Sequence, residues 1–383
     1  MKKSFTYIII LSMICFTISA QQRDTNTKQW SSGMLSWEDF QDTTNIKGVS
    51  SILKTNLGVD IEKTKEGNTK TIQPRAYAYI DRSQSRIVPS EKSDTLLRYY
   101  QATFDLLELY RRKLQNELNK GLTGIDAENE HRHYMQLYNE QCEKMAKETA
   151  KGQNQNKMRE WELYIIQELR ATPLSSTPLI QPRGFGYGIH IGFGAIFPIG
   201  DNLLNYFSPA WQFHLGLDFA YKRAHLLLDM AAGSTKMKQD LSITYDKGTQ
   251  ETTWIKGQHP SYSQFSVALG YEMVDNKHFS MMPFIGGTQT EYSRVLDRQG
   301  QDKVNIYKND FNITAGINFD YRFSTIVSLV PSFWFGHREM FTSSIRTRIY
   351  INYGKYDFML KGVQVGFSVS YCGFGRLLKI SQN

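Results

Sequence analysis

From Gly184 onward the chain alternates apolar with small or polar residues at a period of two, and few folds accept that pattern over so many segments. In "GFGYGIHIGFGAIF", Phe185, Tyr187, Ile189, Ile191, Phe193 and Ala195 alternate with Gly186, Gly188, His190, Gly192 and Gly194. In "WQFHLGLDFAY", Trp211, Phe213, Leu215, Leu217, Phe219 and Tyr221 alternate with Gln212, His214, Gly216, Asp218 and Ala220. The pattern returns in "HLLLDMAAG", "QFSVALGYEM", "FNITAGINFDYRF" and "VQVGFSVSY". Less regular runs at Phe279 to Thr288 and Ile326 to Gly336 bring the strands to about eight. Successive side chains of a strand point to opposite faces, so each segment has one apolar and one small or polar face.

Strand and link lengths choose between a soluble and a membrane sheet. Strands of soluble sandwiches usually run about 5 to 6 residues, whereas these run roughly 9 to 13 and a tilted bilayer span takes about 9 to 11. The links after the second, fourth and sixth strands, "KRA", "DNK" and "ST", are expected to be tight turns, and those after the odd-numbered strands to be longer loops. Short turns on one side and long loops on the other is the plan of outer-membrane barrels, whose turns are periplasmic. Tyr206, Phe207, Trp211, Tyr221, Tyr271, Tyr321 and Tyr371 lie near strand ends, where interfacial girdles form. A soluble lipocalin-like barrel is the competing reading.

Over about Gly184 to Phe374 this half resembles, in pattern, the small eight-stranded outer-membrane barrels, although its end "GRLLKISQN" lacks the terminal aromatic that many of them carry. A barrel of that size is filled by side chains rather than open as a pore. His214, Asp218, His225, Asp229, Glu272, Asp320 and Arg322 fall on the inner face. Buried charges must be paired, so these are expected to form a polar lumen network. Some barrels of this size are lipid-modifying enzymes, which makes His214 and Asp218 the catalytic candidates of an alternative reading.

The first half has a different period. Met1 to Ala20 carries Lys2 and Lys3, an apolar run too short to be a transmembrane helix, and "TISA", the layout of a secretory signal peptide. Ile14 makes lipidation at Cys15 a minor alternative. Short β-like runs such as "RAYAYID" lie between Gly48 and Val88. Leu97, Tyr100, Phe104, Leu107 and Leu114 then recur at helical spacing, and further helices are expected from Asp126 to near Gly152 and from about Gln155 to Leu169. The expected plan is thus a signal peptide at 1–20, an α+β periplasmic domain at 21–182, an antiparallel transmembrane β-barrel of about eight strands at 183–376, and a periplasmic tail at 377–383. The net charge of +8 is spread out, with no dense basic block to hold nucleic acid. Cys142 and Cys372 make no disulfide framework.

Three blocks, "LSWEDFQ" from Leu35, "LLRYYQATFDLLELYRRKL" from Leu96 and "KETAKGQNQNKMREWELYIIQEL" from Lys147, resemble a family of exported proteins of unknown function predicted to be zinc metalloproteases. The resemblance covers about Trp30 to Leu169. That family has a tryptophan followed by Asp-Phe, a helix H-E-Q-x-H-F-D followed by E-L-Y-x-R-K-L, and a block E-T-x-x-G-x-N followed by Gln and Trp. Gln101, Phe104, Asp105, Glu108, Leu109, Tyr110, Arg112, Lys113 and Leu114 match its helix. The resemblance puts the zinc histidines at Tyr99 and Thr103 and the general-base glutamate at Tyr100, and none of the three is kept. Two histidines four apart on a helix grip one zinc while the glutamate activates its water, so the substitutions remove both functions.

His131 and His133 are two apart on an expected helix, about 200 degrees around it, and cannot share a metal unaided. Glu108 is expected to pair with Arg111 or Arg112. No catalytic residue, metal or cofactor is therefore expected. The expected function is a non-catalytic outer-membrane protein, embedded in outer-membrane lipid, whose degenerate domain binds or scaffolds an envelope protein in the old substrate cleft. The alternatives are a metalloprotease or lipid-modifying enzyme with a rearranged site, and a surface adhesin or receptor using loop residues such as Trp254, Tyr350, Tyr353 and Tyr356.

Overall fold

The computed structural model describes residues 26–43, 49–122, 124–174, 179–245, 250–298, 301–331, 337–355 and 361–381. The expected signal peptide at 1–20 and Tyr356 lie outside them. The chain divides into two compact units. One takes the chain up to Asp60 with Arg75–Leu118 and Ile125–Ser175, and the other takes Ile61–Pro74, Asn119–Gly124 and Ser176–Asn383.

The first unit is built around one helix. Its elements are the paired strands β1 (Thr55–Glu66) and β2 (Thr69–Asp81), whose outer parts it contains, and helices α1 (Asp94–Asn119), α2 (Ile125–Thr149) and α3 (Gln155–Ala171). The helices match the expected positions, and α1 starts where Ser93 Oγ accepts the Leu96 amide at 3.3 Å. Leu106, Leu107, Leu109 and Leu114 are fully buried, and Tyr99, Tyr100, Thr103 and Phe104 are buried beside them. A helix apolar on nearly every side must be enclosed. Gln115 of α1 accepts the Ala76 amide of β2 at 2.8 Å, and on α2 Tyr138 donates to Thr55 and His131 bonds the Leu57 carbonyl of β1.

The second unit contains eight long strands: β3 (Leu179–Ile199), β4 (Ala210–Tyr221), β5 (Ala224–Ser234), β6 (Ser261–Tyr271), β7 (Phe279–Arg298), β8 (Gln301–Ser328), β9 (Glu339–Lys355) and β10 (Lys361–Ser381). Each pairs antiparallel with the next, and β10 pairs back onto β3, so the sheet closes on itself. Closure leaves no sheet edge along the ring. Among the described side chains the alternation is clear: Asp218, Asp229, Asn318 and Arg346 are buried inside, while Ile191, Met230, Leu269, Ile285 and Ile313 are exposed outside.

The seventh strand differs from expectation. It spans Glu339–Lys355, not Ile326 to Gly336. β8 stops at Ser328, three residues before Pro331, which has no amide to continue a ladder. β8 ends at Ser328 and β9 begins only at Glu339, so the tight turn "ST" does not join the sixth strand to the seventh. The long loop expected after the fifth is instead a continuation of β7 and β8, which pair out to Arg298 and Gln301. Residues 377–381, expected as a tail, belong to β10, where Leu378–Ser381 pair with 179–182 of β3.

Candidate functional site

The lumen holds the charges. β9 supplies Arg346 and Arg348, two apart and so on the same inner face. Arg346 grips Asp320 of β8 through two nitrogens at 2.8 and 3.0 Å and lies 2.7 Å from Asp218 of β4. Arg348 lies 2.8 Å from Asp229 of β5 and donates to Asn318 of β8 at 2.7 Å. His190 of β3 donates from Nε2 to Asp229 at 2.7 Å, with its Nδ1 3.5 Å from Asp218. Carboxylates removed from water must be paired or they destabilise the fold, and this network ties five strands together across the interior. Gly216 makes the room: a Cβ there would land on the His190–Asp229 hydrogen bond.

Around this network the lumen is filled. His214 lies edge-on to Tyr350 with ring centroids 6.5 Å apart, and the void beside them is only ≈ 10 Å³. Tyr350 donates to Gln212.

The two ends of the lumen differ. At the loop end, the short helix α4 (Asp201–Tyr206) and Phe207 fold over the mouth. Leu203, Phe207, Met237, Leu241 and Trp254 are buried there with Tyr262 and Tyr292, and Phe207 stacks on Tyr292 at 4.3 Å. Phe207 is thus a lumen cap and not part of a girdle, and Tyr206 packs beside it. Trp254 and Tyr350 are buried as well, so neither serves as an exposed ligand contact; Tyr353 is exposed on β9. At the turn end the lumen opens into a cavity of ≈ 270 Å³. Glu272 there accepts from Arg322 at 2.7 Å and Arg376 at 3.0 Å, and Arg322 also reaches Asp275 at 2.5 Å.

All seven expected lumen residues line the interior, in two clusters rather than one: His214, Asp218, Asp229 and Asp320 with the central arginines, and His225, Glu272 and Arg322 at the turn end. His190, Arg346, Arg348 and Arg376 are the partners that sequence reasoning missed. "SIRTRIYIN" carries the period-two signal for two of them, masked by the β-forming run from Ile326 to Gly336 that precedes it.

Outside, Tyr221, Tyr271, Tyr321 and Tyr371 are exposed near the turn end, and Trp211 stands 76% exposed near the loop end. Between them the exposed large apolar side chains include Ile, Leu, Val, Met and Phe.

In the first unit, Tyr99, Tyr100 and Thr103 sit in the core, each at most 7% exposed. Thr103 bonds the Tyr99 carbonyl at 3.0 Å, and Tyr100 packs against Phe40. Burial pushes both phenols above their ordinary pKa, helped by Cys142 at Tyr99 and by Tyr99 at Tyr100, so both stay protonated. Cys142, on α2, is raised by burial to about 12, and Cys142 and Cys372 are free thiols. His131 is spent on the Leu57 carbonyl, and His133 packs against Tyr134. Among the described residues no group of three or more His, Cys, Asp or Glu is placed to hold a metal ion.

The matching residues of the three blocks have structural duties. Asp105 accepts from Trp30 at 2.8 Å and Gln101 at 2.7 Å, and Gln101 also takes the Leu35 amide. Burial raises the Asp105 carboxyl, against those hydrogen bonds. Glu108 accepts from both Arg111 and Arg112, at 2.7 to 2.8 Å. Burial pushes its carboxyl up, but the two guanidinium groups outweigh that and hold it below the usual carboxylate range. Glu148 accepts from Trp161, Asn154 caps α3, and Gly152 passes so close to the Thr95 carbonyl that a Cβ would collide with it.

The pairing defines a closed, eight-stranded antiparallel barrel with a polar interior and an apolar exterior, preceded by a helical unit. No protein-family model matches the chain, and no curated protein matches it. Among solved structures it is similar to Ail, the attachment invasion locus protein of Yersinia pestis, in complex with the heparin analogue sucrose octasulfate, at 13% identity over 50% of this chain and 98% of that one, TM-score 0.27. It is similar to Neisserial surface protein A at 10% identity over 51% and 97%, TM-score 0.30. The N-terminal β-barrel domain of Pseudomonas aeruginosa OprF follows at 10% over 50% and 99%, TM-score 0.24. At these scores the likeness carries nothing about function, and the barrel stands on its own strand pairing.

Proposed function

We propose that the protein is an outer-membrane β-barrel that anchors its helical unit in the periplasm, where that unit binds or scaffolds an envelope protein without catalysis. The observation that carries the membrane reading is the outer surface of the closed ring. Exposed apolar side chains such as Ile191, Met230, Leu269, Ile285 and Ile313 circle it, with tyrosines towards one rim. A soluble barrel leaving this much apolar surface in water would aggregate, whereas lipid requires it. Flotation of isolated membranes and a heat-dependent shift in gel mobility test it; a soluble, unshifted protein contradicts it.

The non-catalytic reading rests on the resemblance of the three blocks and on the burial of the positions where it puts the zinc ligands. With Tyr99, Tyr100 and Thr103 in the core, a partner meets the exposed surface of the unit rather than a cleft at these residues. Photocrosslinkers placed at exposed positions such as Met34 and Leu163 in intact cells should trap one recurring envelope protein. Stoichiometric zinc in the purified protein, lost on mutating a residue of this unit, would overturn the reading.

The lipid-enzyme alternative finds no support in the geometry. Asp218 is engaged by Arg346, and both it and His214 are enclosed in the lumen, away from the lipid-facing side.

A further inference from the structure

We propose that the turn-end cavity of the lumen binds a compact, multiply charged oxyanion of the phosphate type. At ≈ 270 Å³ it lies just below the range typical of small-molecule sites, about 300 to 1,000 Å³, so its occupant is small.

The charge balance selects an anion. Three carboxylates line the cavity, and each already has a cation: Glu272 holds Arg322 and Arg376, Asp275 holds Arg322, and Asp320 holds Arg346. Arg183, Lys222 and Arg223 line the same cavity, and none makes an ion pair with a carboxylate among the described residues. Arg338, in the link before β9, adds to the crowding. Its guanidinium is pushed below its ordinary value by burial and by the nearby Arg183 charge.

A second observation points the same way. His225 is 5% exposed and lines the cavity, yet neither ring nitrogen has a hydrogen-bond partner. The nearest acidic oxygen, on Glu272, is 3.9 Å from Nε2. A buried imidazole whose Nδ1 has no partner and whose Nε2 has only a distant carboxylate costs stability unless something fills the space, and an oxyanion accepts from it. Guanidinium groups meet phosphate oxygens through paired N–H donors, so an arginine-rich mouth suits this chemistry.

The closed loop end and the filled centre make this a dead-end site rather than a passage. The inference needs only the closed barrel, so it stands or falls apart from the membrane and partner readings.

The test is calorimetric titration of the full chain, in lipid nanodiscs at low salt, with inorganic pyrophosphate. The wild type should bind, and the double variant Arg183→Gln/Arg223→Gln should lose about tenfold or more in affinity. His225→Phe should weaken binding too, while Lys238→Gln, at the loop end, should leave it unchanged. A heat-dependent gel shift shows that each variant has folded. Nanodiscs containing phosphatidic acid separate two sources of the group. Competition with pyrophosphate assigns a phosphorylated lipid headgroup, and its absence assigns a soluble ligand; either supports the site. No pyrophosphate binding by the wild type, or equal binding by the folded double variant, overturns it.

Discussion

In the helical unit Phe104, Leu106, Leu107 and Leu109 are buried while the Lys157–Glu160 pair lies open to solvent. In the barrel Asp218, Asn318, Arg346 and Arg348 are buried while Leu269, Ile285 and Ile313 are exposed. The same residue types are used the opposite way round. The first arrangement suits water outside and the second suits lipid, because hydrogen bonding and charge pairing must then be completed inside. Stability in the two units accordingly rests on different interactions, apolar packing around α1 in one and ion pairs across the lumen in the other.

The largest expected effect follows from breaking that lumen network. Arg346→Met strands Asp218 and Asp320, which Arg346 holds at 2.7 and 2.8 Å, and should cost about 3–5 kcal/mol in urea unfolding followed by gel shift. The helical circular dichroism signal should be little affected. Next in size is Met230→Arg, on the outer face of β5. It should destabilise by about 2–4 kcal/mol if that face meets lipid, whereas the same change on a water-facing barrel would be near neutral. In the helical unit, Gly152 has φ +93° and no room for a Cβ. Gly152→Ala should therefore cost about 1–3 kcal/mol, seen as an earlier loss of the helical signal with the barrel transition unmoved.

Smallest is a pH effect within α1. Glu108 is held below its ordinary pKa, so its contribution is complete at neutral pH and is lost as the pH falls through its folded value. Asp105 is raised, so its contribution has the opposite sign, present at acid pH and lost as the pH rises through its folded value. Glu108→Gln should lower neutral stability and flatten the acid side of the profile. Asp105→Asn should remove the decline towards neutral pH, because an amide oxygen still accepts from Trp30 and Gln101. Urea titrations of the full chain at several pH values, followed by the helical signal, check both signs.

Much of the barrel is legible in the sequence because period two is a local signal: the strands around Gly188, Gly216, Leu228, Val267 and Ile317 follow from it directly. The error at β9 has a physical source. "STIVSLVPSFWFG" is rich in β-forming residues and so competes as a strand with the later alternation of Ile345, Ile349 and Ile351 with Arg346, Arg348 and Tyr350, but Pro331 interrupts it. That misplacement also hid the central arginines. The lumen acids were visible as inward residues, but which cation each meets depends on register between strands distant in sequence, as with Asp218 and Arg346. On α1 the resemblance of the blocks picks out Tyr99, Tyr100 and Thr103, whereas their burial depends on Phe40, Cys142 and Gly152 from other segments.

The inside-out assignment is tested most directly by two tryptophans on the loop-end half of the barrel. Trp211 is 76% exposed on the outer face and Trp254 is 1% exposed in the lumen cap. Single-tryptophan variants retaining one or the other, reconstituted in vesicles with brominated acyl chains, should show strong quenching at Trp211 and little at Trp254. Absence of quenching at Trp211, with ready quenching there by aqueous acrylamide, would contradict a lipid-facing barrel.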